Sequence, residues 1–318
     1  MWIPALLDAG DLDDWLVGDA LSEVQAMSAA TIDRYLRGFK QAAGLHGIST
    51  THSTNAWLKG SIDVRAAGDD WGGQPGMIEA DTVAHCGPVA RGEYARTLTM
   101  TDMATGWTEN ATIRNNAMGW VTQAVAELTG RFPFPVTGFD SDNGSEFINH
   151  KLAAWLQTED IKQTRSRAYK KNDQATVESK NNHRVRKHAF YWRYDTTEER
   201  DLLNEMWSLM SLLGNVFTPT KKPIGYRKDN VGRRVRVYDQ PRTPWQRVKD
   251  SGILTDPQIK AFEATLAGIN PADLTRRIIT IQNQLTTLAQ AKTEALADSL
   301  LLDMRPLKAS INRLATQQ

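Results

Sequence analysis

From residue 76 the chain begins to alternate apolar and polar positions with the two-residue period of a half-buried strand. In "GMIEADTVAH" (76–85) Ile78, Ala80 and Val83 are interleaved with Glu79, Asp81 and Thr82. "ARTLTMTDMAT" (95–105) sets Leu98 and Met100 among threonines, and "GWTENATIRN" (106–115) reads as a third strand. The period then changes. Val121, Val125 and Leu128 have helical spacing within 117–132, "FPVTGFDSD" (134–142) is a fourth strand and "SEFINHKLAAWLQT" (145–158) a helix. "IKQTRSR" (161–167) is a fifth strand and "DQATVESKNNHRVRKHAFYWR" (173–193) a long basic helix. This order predicts an α/β fold with a mixed five-stranded sheet flanked by helices.

The flanks have other textures. In "SEVQAMSAATIDRYLRGFKQ" (22–41) a short helix and a turn precede a second helix capped by Ser28, whose Ile32, Tyr35, Leu36 and Phe39 share one face. Arg34 and Arg37 then face outward, as on a recognition helix in a helix-turn-helix, or as on a plain surface helix pair. Residues 198–215 read as a helix. "YRKDNVGRRVRVYDQPRTPWQRV" (226–248) is basic and strand-like, and Leu274, Ile278, Ile281, Leu285 and Leu288 form a short heptad run, better suited to packing on its own chain than to a coiled coil. The expected organisation is a helical segment at 1–45, a linker at 46–73, an α/β core at 74–217, a basic strand-rich region at 218–255 and C-terminal helices at 256–318.

Composition narrows the function. One cysteine, Cys86, excludes an internal disulfide and any zinc module that needs two cysteines; with His85 it reads as a strand-end core pair. The start "MWIPALLDAGDLDDWL" has no basic lead and no segment reaches 18 uninterrupted apolar residues, so a cytoplasmic protein is expected. The net charge of +1 conceals an asymmetry: ten basic residues stand against Asp173 and Glu178 between 161 and 193, and ten against three acids between 221 and 250. Local basic surface suits a polyanion partner, and equally a solvated helix face.

Three acids stand out along this order of elements. Asp81 lies in the first core strand, Asp142 beside the Asn143-Gly144 turn, and Glu178 in the basic helix, with 35 residues between the last two. Two unit charges about 4 Å apart repel by roughly 4 kcal/mol at an effective dielectric near 20, so converging acids need cations, and hard oxygen ligands suit Mg2+ or Mn2+.

"IEADTVAH", "DSDNGSEF" and "KNDQATVESKN" at this spacing resemble the catalytic core of retroviral-type integrases and insertion-sequence transposases. With "MSAATIDRYL", "TDMATGWTE" and "YDQPRTPWQRV", the resemblance extends over about residues 20–255. It implies an RNase H-like fold and a DDE-type enzyme for DNA strand cleavage and strand transfer. It also implies two divalent ions held by Asp81, Asp142 and Glu178, and a homo-oligomer acting on element ends and target DNA. Asp140 and Glu79, on the same strand faces as Asp142 and Asp81, are then supporting or solvated, and Glu146 suits the dipole of the next helix. Candidate DNA contacts are Arg34, Arg37, Lys170, Lys171, Asn181, Asn182, Arg186, Arg233, Arg234 and Arg236. The family commonly carries further N-terminal DNA-binding sequence, so a shortened reading frame is also an expectation.

Overall fold

The structure, a computed structural model, describes residues 18–28, 30–32, 34–35, 56–168 and 170–315. At the N-terminal end, helix α1 (Gly18–Ala26) is followed by helical backbone from residue 30, where Ser28 Oγ accepts from the Thr31 N–H at 3.2 Å. The cap is where the sequence predicts it. Ile32 and Tyr35, expected on an apolar face, are exposed; Leu36 and Phe39 lie outside the described residues.

Next come α2 (Ala56–Ser61) and β1 (Asp63–Arg65), then the meander β2 (Met77–Ala84), β3 (Arg96–Asp102) and β4 (Thr108–Ile113). Helix α3 (Met118–Thr129), β5 (Gly138–Ser141), α4 (His150–Thr158) and β6 (Lys162–Ser166) complete one mixed sheet of order β1-β6-β5-β2-β3-β4. β2, β3 and β4 pair antiparallel, whereas β2–β5, β5–β6 and β6–β1 pair parallel. The sheet has six strands rather than five. The sixth is β1, from within the expected linker, which folds here because a single buried residue, Arg65, docks it.

Alternation along β2 sorts the two faces. Ile78 and Ala80, with Leu98 and Met100, pack on Val121, Val125 and Leu128 of α3 and on Leu152 and Leu156 of α4. Glu79, Asp81 and Val83 point the other way, under the chain from Lys171 to Ala189. That segment is helical throughout but not uniform: a 3-10 turn (Lys171–Gln174), α5 (Ala175–Lys180), a π-helical stretch (Asn181–Arg186) and a last turn ending at Phe190, whose φ is 55°.

On the same face, α6 (Thr197–Leu212) buries Leu203, Met206 and Trp207. It opens with a capping box, Thr196 and Glu199 each bonding the other's backbone N–H. A two-stranded hairpin, β7 (Pro223–Lys228) and β8 (Arg234–Tyr238), is separate from the main sheet. The strand-like reading fails at 244–248: α7 (Pro244–Ser251) is a helix with Thr243 and Gln246 as capping box and Pro244 in its first turn. It inserts Trp245 edge-on to Trp107. After α8 (Asp256–Leu266), α9 (Pro271–Ala315) lays Leu274, Ile278, Ile281 and Leu285 against α6. The heptad run packs within the chain, with Leu288 left exposed.

Candidate active site

Two levels of acids rise along β2 and β5. Glu79 is the register partner of Asp140, and two residues further along the same face come Asp81 and Asp142, the latter just past the end of β5. In the lower level Glu79 is 2% and Asp140 0% exposed, and a cation is built in. Arg65 Nη2 donates to Glu79 Oε1 at 3.0 Å, Asp140 Oδ2 at 2.8 Å and the Asp173 carbonyl at 2.6 Å. Thr164 Oγ1 donates to Asp140 Oδ1 at 2.6 Å. Burial still pushes the Glu79 carboxyl up to about 7, against the Val177 N–H and the Arg65 charge.

The upper level differs. Asp81 Oδ1 accepts from the Thr82 N–H at 2.7 Å and Oδ2 from Asn181 Nδ2 at 2.6 Å, while Asp142 Oδ1 accepts from the Gly144 N–H at 2.8 Å. Among the described residues no guanidinium or ammonium group is hydrogen-bonded to either carboxylate. Burial, with the neighbouring Asp142 charge next, pushes Asp81 up to about 7, opposed by the Thr82 N–H and Arg186. Asp142 is raised as well, by burial first, with Glu146 adding repulsion beyond the counteracting Gly144 N–H. Asn181 Oδ1, beside them, is buried without a hydrogen-bond partner. The donors present are hard oxygens, which fit a hard divalent cation in kind.

The third acid is not gathered with the pair. Glu178 is exposed on α5, next to buried Val177 and one turn before Asn181. Among the described residues, no three His, Cys, Asp or Glu side chains are grouped so as to hold a metal ion. Glu146 comes nearer than its sequence context implies. The helix begins at His150, capped by Asn149, so Glu146 sits in the preceding turn. Its Oε1 accepts from Thr82 Oγ1 at 3.2 Å and from Arg96 Nη1 at 3.3 Å.

The expected DNA contacts divide. Arg34, Lys170 and Asn182 are exposed, and Arg186 is half-buried and close enough to Asp81 to stabilise its charge. Asn181 is 1% exposed with its amide on Asp81, so it belongs to the floor of the site rather than to a DNA-facing surface. Arg233, Arg234 and Arg236 are exposed on the hairpin, with Arg234 stacked 3.8 Å over Tyr226. Arg37 and the Lys171 side chain lie outside the described part. Sequence reading misses Arg65 altogether, because a lone arginine in a polar stretch has no periodicity to mark it. His85 and Cys86 are buried, as a core pair should be, with His85 Nε2 2.7 Å from Thr97 Oγ1.

A three-stranded meander joined to parallel strands, helices on both faces, and acids at neighbouring strand positions define an RNase H-like α/β fold. The integrase core domain family matches residues 73–171, which include Asp81 and Asp142 and stop short of Glu178. The uncharacterized protein y4rM of Sinorhizobium fredii is 37% identical over 242 residues, 76% of this chain and 68% of that one. Among solved structures, the catalytic core domain of BIV integrase is similar at 17% identity and a TM-score of 0.37, over 55% of this chain and 95% of that chain. The chain belongs to the integrase core domain family.

Proposed function

We propose that this protein is a DDE-type transposase, cleaving DNA strands at insertion-sequence ends and transferring them to target DNA with Mg2+ or Mn2+. One contrast carries the reading: the lower pair of acids shares a hydrogen-bonded arginine, whereas among the described residues no arginine or lysine is hydrogen-bonded to either acid of the upper pair. Asp81 and Asp142 would hold the divalent ions, with Glu178 as the third ligand. When bound, two such ions activate the attacking oxygen and stabilise the leaving oxygen of a phosphodiester. The chain's own groups prepare for this. Asn181 and the Thr82 N–H hold Asp81 in place, and the Gly144 N–H holds Asp142. Arg186 near Asp81, the exposed Lys170 and Asn182, and the exposed arginines of the hairpin would engage phosphates. Joining two ends requires more than one site, hence a homo-oligomer acting on DNA in the cytoplasm.

The test is a strand-transfer assay with labelled element ends, a target plasmid and Mg2+ or Mn2+. Asp142→Asn is expected to lower nicking and joining by at least about 100-fold, since even outer-shell changes at metal sites cost 10- to 100-fold, and to retain most DNA binding. Nicks without joining would instead indicate a hydrolytic nuclease. The exposed position of Glu178 favours a second reading, a relative that binds DNA without transferring strands. Binding with no metal-dependent product from wild type would establish it.

A further inference from the structure

Beneath the candidate catalytic pair, the connection from Arg65 to the helix that carries Glu178 is unusually direct. α5 begins at Ala175 behind Gln174, whose side chain makes no capping hydrogen bond. The cap comes from the sheet instead. Glu79 Oε2 accepts from the N–H groups of Thr176 and Val177, each at 3.0 Å, placing a carboxylate on the first turn, where free amides and the helix dipole favour an anion. The 3-10 lead into α5 is tied down by the same stretch of chain. Arg65 donates to the Asp173 carbonyl, and the Ala67 N–H donates to Asp173 Oδ1 at 3.0 Å.

β1 itself has little else to hold it. It is three residues long, Asp63 and Val64 are exposed, and only Arg65 is buried. Short parallel edge pairing contributes little on its own, so the strand is docked chiefly by the ion pairs of its last side chain. Without that guanidinium, two adjacent acids with almost no access to water would keep their neutral hydrogen-bond donors but have no hydrogen-bonded counter-charge. One of them would have to take up a proton or move, and in either case the carboxylate cap on α5 would weaken.

We infer that Arg65 is a positioning residue for the third acid: through Glu79 it holds the N-terminus of α5, so that docking of the segment 56–67 on the sheet and placement of Glu178 are a single event. Whatever lies N-terminal to the core would thereby be coupled to assembly of the catalytic constellation. The inference rests on reading Asp81, Asp142 and Glu178 as the catalytic acids, but the link from Arg65 to α5 can be measured without it.

The experiment compares the full chain with Arg65→Gln and with Arg65→Gln/Asp140→Asn. The double variant restores the wild-type balance of one excess negative charge in the buried cluster, and keeps the test open if the single variant folds poorly. Amide hydrogen exchange across 175–180 is expected to speed up at least about tenfold in Arg65→Gln and to return to within about threefold of wild type in the double variant. Unchanged protection in Arg65→Gln, or no recovery in a folded double variant, would overturn the coupling. On element-end DNA, Arg65→Gln should lower kcat for nicking about tenfold or more with KM for DNA unchanged, and the double variant should recover it. Lost protection with unaltered kcat would overturn the positioning role. If wild type makes no product, the proposed function fails, and hydrogen exchange alone decides the coupling.

Discussion

Asp142 is held by the backbone amide of Gly144, in a turn where a side chain would crowd the carboxylates around it. A Cβ at Gly144 would stand 2.6 Å from Glu146 Oε2 and 2.8 Å from Asp142 Oδ1, inside contact distance of both. The crowded atoms are the ends of side chains, so the fold can adapt while the carboxylates move. Gly144→Ala is therefore expected to change stability by less than about 1 kcal/mol, measured by urea unfolding, and to reduce nicking by an order of magnitude or more in the same preparation. His85 is a residue whose titration bears on the fold itself. Burial lowers its pKa to about 3, with Arg186 and Arg96 adding repulsion, so the folded imidazole is neutral. Unfolded, it binds a proton near pH 6.5. Between those values the unfolded state holds more protons, so this contribution to stability is complete above about pH 6.5 and is lost as pH falls toward 3. His85→Asn should flatten the acid side of the stability profile by up to about 1.4 kcal/mol per pH unit in that window, read from urea midpoints at pH 7, 6 and 5.

The outer edge of the main sheet is sealed by two amides. Asn204 of α6 donates to the Thr112 carbonyl at 3.0 Å and accepts from its N–H at 2.7 Å; Asn215, just past α6, does the same for Thr108 at 2.9 and 3.0 Å. Each side chain stands in for a neighbouring strand's peptide, leaving β4 unavailable for further strand addition. Asn204→Ala strands a buried N–H and C=O and should cost about 1–3 kcal/mol, measured by urea unfolding. Neither asparagine is legible in the sequence, since each sits more than ninety residues from its partner. What is legible follows local pattern. β2 and β3 interleave apolar and polar residues, α3 has its apolar spacing, and the acid at 142 sits beside an Asn-Gly turn. β1 escapes a reading of periodicity because one long-range ion cluster, not alternation, makes it a strand. α4 starts late because Asn149 caps it. α7 reads as strand because the basic run masks Thr243, Pro244 and Gln246, which together signal a helix start. Spacing makes Glu178 a candidate third acid, but where α5 places it depends on long-range contacts that spacing does not encode.

At the scale of the molecule, the α/β core carries the acids, and the β7–β8 hairpin carries exposed Arg233, Arg234 and Arg236 away from the main sheet. The separation predicts separable effects. Replacing Arg234 and Arg236 with alanine should leave the melting temperature unchanged and reduce the slope of log binding constant against log salt by about 2, roughly 0.9 for each phosphate no longer neutralised. Leu285→Ala, in the fully buried seam between α6 and α9, should act the other way, costing about 2–5 kcal/mol of stability with little change in that slope. The sixth strand has a practical consequence for anyone dissecting the protein. The family match begins at residue 73, and a recombinant fragment cut there would discard Arg65 along with Leu58 and Ile62, which cover Ile148. Such a fragment would carry two buried acids without their counter-charge and a bare apolar spot, and is expected to accumulate in inclusion bodies, whereas one begun at residue 56 should be recovered in the supernatant.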